Sequence, residues 1–205
     1  MLAVNPLPCF NVLAEHFLPH ATHLSLRPQE SLTLEASDNK ITLVRSGAVR
    51  IVRAADSALM GISSMPLIIG LPDMGAGSEY SRGLTALTPC ELYQLSARAG
   101  EVILDRHQLW KAAFKWVSWQ YRVLEARDLE LVGQSTYKQI RASLLLMAEW
   151  DEVLRAKIGV IHFIQQRTHI SRSVVAEVLS ALRAGSYIEM SKGKLVSVNR
   201  LPLDY

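Results

Sequence analysis

Residues 168–194 read THISRSVVAEVLSALRAGSYIEMSKGK, and the interpretation of the whole chain starts from this stretch. Ser171 is a suitable N-cap and Gly185 a suitable stop signal, so a helix is predicted over 171–184. Aliphatic residues recur inside it at positions i, i+3, i+4 and i+7, which is the spacing of one buried helix face. That predicted inward face consists of Val175, Val178, Leu179 and Leu182.

The segments around this helix extend it into a DNA-binding pattern. A shorter helical segment, 159–167, precedes it across a three-residue break, and Ile161 and Ile164 are expected to pack on its inward face. Two extended runs at 187–190 and 195–198 then flank a Ser-Lys-Gly-Lys turn and predict a hairpin. Helix, turn, helix and hairpin is the order of a winged helix-turn-helix. A three-helix packing unit with an incidental basic turn is the alternative.

The outward face of the second helix and the two turns supply the candidate DNA contacts. Arg172 can donate two hydrogen bonds to a guanine edge, and Glu177 can accept one from cytosine. Small side chains between them let the backbone lie deep in a major groove, and the helix N-terminus favours a phosphate. The lysines of the hairpin turn and the residues of the helix break are expected to hold phosphates. The predicted DNA-binding residues are Arg172, Ser173, Ala176, Glu177, Ser180, Thr168, His169, Lys192 and Lys194.

The charge of the chain is unevenly distributed. The 205 residues carry a net charge of +3. Residues 1–105 hold 7 basic and 10 acidic side chains, whereas residues 136–205 hold 10 basic and 6 acidic ones. A polyanion would therefore be met at the C-terminal third. The excess is small, so charge alone favours double-stranded DNA only slightly over an ordinary basic surface.

A long apolar stripe precedes this C-terminal third. From about residue 106, apolar side chains recur in steps of three and four with no proline or glycine before Gly133. One side of the predicted helix is expected to cover the N-terminal domain and the other to meet a second copy of the chain, because a short β domain offers limited surface. A helix wholly buried within one chain is the alternative. The predicted dimerisation residues are Trp110, Phe114, Val117, Tyr121, Leu124 and Leu131.

Short runs with a two-residue apolar period occupy residues 22–96. Their number and spacing predict an antiparallel sandwich or barrel rather than a parallel sheet with crossover helices. Ser46-Gly47 lies between two of the runs and predicts a hairpin there. A short helix is expected at 10–17. The predicted strands lie at 23–26, 31–34, 41–44, 49–52, 59–62, 67–69, 84–87 and 91–95.

The C-terminal stretch, from Ser171-Arg172 through the aliphatic face to the hairpin, resembles the DNA-binding end of the Crp/Fnr family of bacterial transcription regulators. In the order of its parts, the resemblance covers nearly the whole chain. It implies an α+β fold with a cyclic-nucleotide-binding-like jelly roll, or β-roll sensor-like domain, at 1–105. A long dimerisation helix at 106–134 and a winged helix-turn-helix DNA-binding domain at 135–205 would follow.

Further segments resemble one branch of that family, which is tied to oxidative stress. These segments are 108–110, 149–152, 172–179 and 199–202. The resemblance implies a homodimeric regulator of transcription that is linked to hydrogen peroxide resistance. In the recognition helix, Ser173 and Glu177 replace a Glu and a second Arg of the family, so a different operator is expected.

The β-roll departs from the family members that bind cyclic AMP. Those members hold the ribose with a Gly-Glu-Leu segment and the phosphate with an Arg-Ser pair. Here the first segment is Gly70-Leu71-Pro72, which has no carboxylate, and Tyr80-Ser81 stands at the second. Arg82 is displaced by two residues, or about 6–7 Å along a strand. We therefore expect no response to cyclic AMP, and the sequence leaves the effector unknown.

Composition and motifs exclude several other classes. The chain is 49 % hydrophobic and 20 % charged, which excludes a disordered protein, and no apolar run is long enough for a membrane span. Neither a signal peptide nor a disulfide framework is recognisable, so a cytoplasmic protein is expected. Hydrolase, metalloprotease and phosphate-loop motifs are missing, and His162 and His169 are too far apart for a helical metal pair.

We therefore predict no enzyme, no metal and no cofactor. The alternative function is a non-catalytic interaction module, whose β-roll and long helix bind a partner protein. Of the two cysteines, Cys90 lies in an alternating strand and is expected to be a buried, unreactive thiol rather than a redox switch. Cys9 is expected to be more exposed.

Overall fold

The computed structural model describes residues 5–74 and 77–203. The chain forms two compact units, and the division between them falls between Leu124 and Glu125, inside the longest helix. The first unit contains helix α1 (Leu7–Phe17) and eight strands: β1 (Thr22–Leu26), β2 (Ser31–Leu34), β3 (Lys40–Ser46), β4 (Val49–Arg53), β5 (Leu59–Ser63), β6 (Leu67–Ile69), β7 (Arg82–Ala86) and β8 (Cys90–Ser96). Helices α2 (Ala97–Arg106) and α3 (Trp110–Leu131) follow.

The eight strands form the two antiparallel sheets of a β-roll, which confirms the predicted fold class. One sheet has the order β1-β8-β3-β6 and the other β2-β7-β4-β5. Side chains from both sheets share one core, because alternate residues of each strand point to the same side. Core residues from the strands include Leu43, Val49, Ile68, Leu84 and Leu92.

The hairpin predicted at Ser46-Gly47 is wrong. β3 pairs with β6 and β8, whereas β4 pairs with β5 and β7, so the turn carries the chain from one sheet to the other. Gly47 has a φ of 92°, and a Cβ there would contact the Pro89 carbonyl and lie 2.6 Å from the Cys90 sulfur. Only glycine fits at position 47, where the chain crosses between the sheets, because any side chain there would overlap these atoms. A two-residue period identifies strands without identifying their partners.

Two helices were not predicted as such. α2 begins where Ser96 accepts a hydrogen bond from the Ala99 amide at 3.2 Å, and it follows the last predicted strand, at the end of the predicted domain 1–105. A second short helix, α5 (Glu152–Lys157), begins at Asp151, whose carboxylate accepts from the Leu154 amide at 2.8 Å. The long helix α3 begins at Trp110 rather than at 106, because α2 ends at Arg106.

The first half of α3 packs on the core of the first unit. Trp116 is fully buried, and its indole N–H donates to the Ile68 carbonyl oxygen at 3.2 Å. The Gln120 amide donates to the same oxygen at 3.0 Å, and the Phe10 ring of α1 lies 5.8 Å from that of Trp116. These contacts confirm that one side of the long helix covers the β domain.

The second unit is helical and ends in a hairpin. Its elements after the end of α3 are α4 (Thr136–Ala148), α5, α6 (Val160–Thr168), α7 (Arg172–Ala184), β9 (Ile188–Ser191) and β10 (Lys194–Val198). The predicted N-cap Ser135 is confirmed, since its hydroxyl accepts from the Lys138 amide at 3.3 Å. Tyr137 and Arg141 of α4 both donate to the Pro202 carbonyl and tie the C-terminal stretch to the unit. No helix in the described ranges is both long and apolar enough to span a bilayer.

Candidate nucleic-acid interface

The turn between α6 and α7 is built by its own hydrogen bonds. The Thr168 hydroxyl donates to the Ile164 carbonyl at 2.7 Å and accepts from the Ile170 amide at 3.3 Å. His169 adopts a left-handed conformation with a φ of 59° and ends α6, while its amide donates to the Gln165 carbonyl at 2.9 Å. The helix break therefore lies one residue later than predicted, and His169 is exposed at its start.

The faces of α7 agree with the periodicity of the sequence. The Ser171 hydroxyl accepts from the Val174 amide at 3.4 Å, which confirms the predicted N-cap. The four aliphatic residues of the predicted inward face are all buried. Of the two α6 residues expected to pack on this face, Ile164 is buried, whereas Ile161 is only half-buried. Phe163 of α6 is buried instead. The outward face is exposed at every predicted position: Arg172, Ser173, Ala176, Glu177 and Ser180.

The hairpin, or wing, turns at Lys192-Gly193. Both residues have positive φ, 47° and 77°, which is the signature of a type I′ turn. Lys192 is exposed at the tip. Lys194 is half-buried, and its ammonium donates to the Lys157 carbonyl at the end of α5 at 2.7 Å. The Val160 amide donates to the Gly193 carbonyl at 3.0 Å, so the tip of the wing is fixed to the start of α6.

One further basic residue lies on the outward face of α7. Arg183 is exposed in the last turn of the helix, three residues after Ser180. It borders a polar groove of about 650 Å³ that is also lined by Ser186, Glu189 and Asn199. The spacing of three residues from a predicted contact was the signal that could have identified it.

An ion pair with a nearly enclosed arginine lies next to the helix break. An Nη2 hydrogen of Arg167 is donated to Oε2 of Glu130 at 2.6 Å. The Arg167 side chain is only 9 % exposed. Burial lowers the pKa of Arg167, as does the charge of Arg127, while Glu130 opposes both. No sequence signal joined these residues, because they lie 37 positions apart and neither belongs to a periodic face.

A second ion pair lies in the β-roll, at the segment that was compared with the phosphate-binding position of the members that bind cyclic AMP. Arg82 donates from Nη1 and Nη2 to the two carboxylate oxygens of Asp73, at 2.8 and 3.1 Å. The Tyr80 ring lies 4.8 Å from the guanidinium carbon. Burial opposes the charge of Arg82, but the hydrogen bonds and charge of Asp73 outweigh it and raise the pKa of Arg82. Ser81 donates to Glu35 at 2.6 Å.

In the described part of the chain, Cys90 lies in the core of the β-roll. No group of three or more His, Cys, Asp or Glu side chains is arranged in that part to hold a metal ion. Cys90 is buried, as predicted, and its thiol donates to the Thr88 carbonyl at 3.1 Å. Burial raises the pKa of the Cys90 thiol. Cys9 is half-buried.

Comparisons with known proteins agree with this geometry. A family profile described as "Winged helix-turn-helix DNA binding" matches residues 136–203. The c-di-GMP responsive global regulator CLP of Xanthomonas campestris shares the fold, with a TM-score of 0.74 at 16 % identity over 93 % of this chain and all of that one. A CRP/FNR family transcriptional regulator from Thermus thermophilus matches with a TM-score of 0.63 at 17 % identity, over 86 % of this chain and 94 % of that chain. The molecule therefore has the fold of the Crp/Fnr regulators with a winged helix-turn-helix DNA-binding domain.

Two curated proteins are similar to this chain in sequence over most of its length. The "Inhibitor of hydrogen peroxide resistance" of Salmonella typhimurium is 49 % identical over 171 residues, covering 83 % of this chain and 82 % of the relative. The protein of the same name from Escherichia coli is 42 % identical over 203 residues, covering 98 % of both. The chain belongs to the family of the inhibitor of hydrogen peroxide resistance.

Proposed function

We propose that the protein is a homodimeric transcription regulator that reads DNA with α7, is linked to hydrogen peroxide resistance and does not respond to cyclic AMP. The observation that carries the proposal is the division of α7 into two faces. Its aliphatic face is wholly buried, while Arg172 and the four other outward residues are exposed around a capped helix N-terminus. A helix of this kind can enter a major groove with its first turn toward the bases.

The roles of the individual residues follow from their positions. Arg172 reads a base, since it stands at the first turn and can bond a guanine bidentately, and Ser173 and Glu177 assist it. His169 and Lys192, which are both exposed, hold phosphates beside that helix in this proposal, together with Thr168 and Lys194. Lys194 uses one ammonium hydrogen on Lys157 and keeps two for a phosphate.

The long helix supports a second copy of the chain as partner. Phe114 is 71 % and Tyr121 60 % exposed, although both are large and apolar in character. Trp110 and Leu124 are also exposed on this stripe, and Val117 and Leu131 are half-buried. Such a face at coiled-coil spacing is covered when two helices associate. A dimer of this kind presents two copies of α7 to two half-sites of a roughly palindromic operator.

The β-roll supports independence from cyclic AMP. Arg82, which stands two residues after the expected phosphate-binding position, is paired with Asp73. The cavity beside this pair has a volume of about 20 Å³, which is room for one water-sized molecule. The link to hydrogen peroxide rests on the names of the two relatives. Because the proposed partner is double-stranded DNA, we propose that the protein acts in the cytoplasm.

Salt-dependent DNA binding tests the proposal. Duplexes are first enriched from a random library by the purified protein, and their affinity is then measured between about 50 and 200 mM salt. A protein that makes about 6–10 phosphate contacts loses about 10³–10⁵ in affinity over this range of salt. The expected result is a sequence-selective complex with a steep negative slope of log affinity against log salt. A protein that enriches no sequence and shows a flat slope would instead be an interaction module whose β-roll and helix bind another protein.

A further inference from the structure

The pair of Asp73 and Arg82 connects the two sheets of the β-roll. Asp73 follows β6 of one sheet, and Arg82 begins β7 of the other. The backbone holds the carboxylate in place, because the Asp73 amide donates to the Gly70 carbonyl at 3.1 Å and the Asp73 carbonyl accepts from Gly77 at 2.7 Å. Gly70 has a φ of 96°, which a glycine adopts without strain.

A second carboxylate of the chain occupies the neighbouring donor. The Ser81 hydroxyl, adjacent to Arg82, donates to Glu35 at 2.6 Å and accepts from the Ala36 amide at 3.1 Å. A guanidinium and a hydroxyl side by side are donors that suit a phosphate or carboxylate. Here each is bonded to an acidic residue of the same chain. Carboxylates of the chain itself therefore occupy both donors, Asp73 on Arg82 and Glu35 on Ser81.

The pair is enclosed. The Arg82 side chain is 14 % and the Asp73 side chain 17 % exposed. Tyr80 covers the guanidinium at 4.8 Å. The remaining space of about 20 Å³ cannot admit a phosphate ester unless Asp73 moves away. An external anion must therefore displace the internal carboxylate in order to reach Arg82.

We propose that Asp73 is an internal anionic ligand of the β-roll. It takes the position on Arg82 that the phosphate or carboxylate of a small molecule would otherwise take, and it holds the loop after β6 against β7 without an effector. This proposal rests on the proposed lack of a response to cyclic AMP and gives a structural cause for it. It does not depend on DNA binding. An internal carboxylate competes at a high effective concentration, since it is tethered beside its partner. Millimolar phosphates in solution then leave the wild-type β-roll unchanged.

Chemical rescue tests this assignment. Asp73→Ala removes the carboxylate, leaves Arg82 enclosed without its partner and opens space for a small anion. The melting temperature is expected to fall by about 5–10 °C. Sodium formate and inorganic phosphate, compared with sodium chloride at equal ionic strength, are expected to restore about half of the loss, because binding to the native state stabilises it. The wild type gains only what the general salt effect of these anions and the phosphate-holding residues of the second unit supply, so rescue is the gain of Asp73→Ala beyond that of the wild type.

Three variants provide the controls. Asp73→Asn fills the same space with a neutral group, so it is destabilised but not rescued. The double variant Asp73→Ala/Arg82→Ala lacks the cation, and formate has no effect beyond that of chloride. Asp56→Ala removes the partner of Arg53 in an exposed ion pair of the same β-roll, and its melting temperature responds to formate as that of the wild type does. If Asp73→Ala does not fold, its refolding yield in formate against chloride gives the same comparison.

The outcomes separate the two proposals. Rescue of Asp73→Ala alone supports the internal ligand. Equal melting of Asp73→Ala in formate and chloride overturns it, while leaving the absence of a cyclic AMP response intact. A rise in the melting temperature of the wild type with cyclic AMP contradicts that absence instead. An equal gain of the wild type and of Asp73→Ala in formate or phosphate would show that the anion does not act at the vacated position beside Arg82, and this also overturns the internal ligand.

Discussion

Glu130 and Arg167 join the end of α3 to the end of α6 across 37 residues of sequence, with 2.6 Å between Oε2 and Nη2. Arg167 immediately precedes Thr168 and His169, which build the turn before α7. The ion pair therefore fixes the start of the proposed DNA-reading segment relative to the last turn of the long helix. Its arginine is nearly enclosed, whereas 37 % of the glutamate side chain is exposed.

Removing the glutamate is expected to destabilise the second unit. Glu130→Ala leaves Arg167 buried beside the like charge of Arg127, at a cost of about 1–2 kcal/mol after allowance for the exposed carboxylate. DNA affinity falls as well, because the turn loses its anchor. Urea unfolding and fluorescence anisotropy measure the two effects. Glu125→Ala, at an exposed position of the same helix, is the matched control and changes neither.

Apart from α5, the elements of the second unit were predictable because local signals agree there. Helical spacing identified both faces of α7, and Ser135 and Ser171 were recognised as N-caps from their position before apolar runs. α2 gave a weaker signal, since Ala97–Arg106 includes a glycine and follows directly on a strand. Such local rules depend on neighbours within one or two helical turns, and this is the range over which they succeed.

Contacts between distant segments were not predictable in the same way. The strands β3 and β4 looked like a hairpin because they are adjacent in sequence, yet Gly47 sends them to different sheets. The partners of Arg82 and Arg167 are carboxylates chosen by the fold, nine and 37 positions away. A single sequence contains the charges but not the tertiary register that pairs them.

Arg172 is expected to discriminate between bases. Arg172→Ala removes a side chain that can bond bidentately to guanine, so affinity for the selected operator falls by about 1–3 kcal/mol and preference relaxes at one base pair. Arg183→Ala is the matched control on the same helix, and it should weaken selected and random duplexes alike. Equal losses on both kinds of duplex for Arg172→Ala would contradict base reading by this residue.

The wing permits a charge to be removed without damage to the turn. Lys192 has a φ of 47° in a type I′ turn, a conformation that asparagine adopts more readily than lysine. Lys192→Asn is therefore expected to retain or raise stability while the slope of log affinity against log salt becomes shallower by about one unit. Lys194→Ala differs, since it also removes the bond to the Lys157 carbonyl and lowers stability. An unchanged salt slope in Lys192→Asn would remove Lys192 from the set of phosphate contacts.

The exposed stripe of α3 is expected to be the dimer interface. Phe114→Glu and Leu124→Glu place a charge on that stripe, and desolvating it would oppose association. Analytical ultracentrifugation should show a dimer for the wild type and a monomer for the variants, with loss of binding to two-half-site operators. Arg122→Glu lies on the same helix away from the stripe and should remain dimeric. A monomeric wild type at all accessible concentrations would contradict the assignment.

Cys90 is expected to resist thiol reagents in the folded protein. The thiolate is the reactive form, and burial raises the pKa of this thiol, so it stays protonated at neutral pH. A disulfide reagent should label Cys9 in the native state and Cys90 only after unfolding, so the Cys9→Ser variant should show no native labelling. Fast labelling of Cys9→Ser would place Cys90 at an accessible position and contradict its burial.

The same burial predicts a dependence of stability on pH. The folded thiol holds its proton to higher pH than the unfolded thiol, whose pKa is about 8.5, so the folded state binds more protons above that pH. The contribution of Cys90 is therefore fully present below about pH 8.5 and is lost as the pH rises through the folded pKa. Urea unfolding of the wild type should weaken more steeply in this alkaline range than that of Cys90→Ala. If the free energy of unfolding falls in parallel with pH for the two proteins, the thiol has the same pKa in the folded and unfolded states. That result would contradict a raised pKa of Cys90 in the folded state.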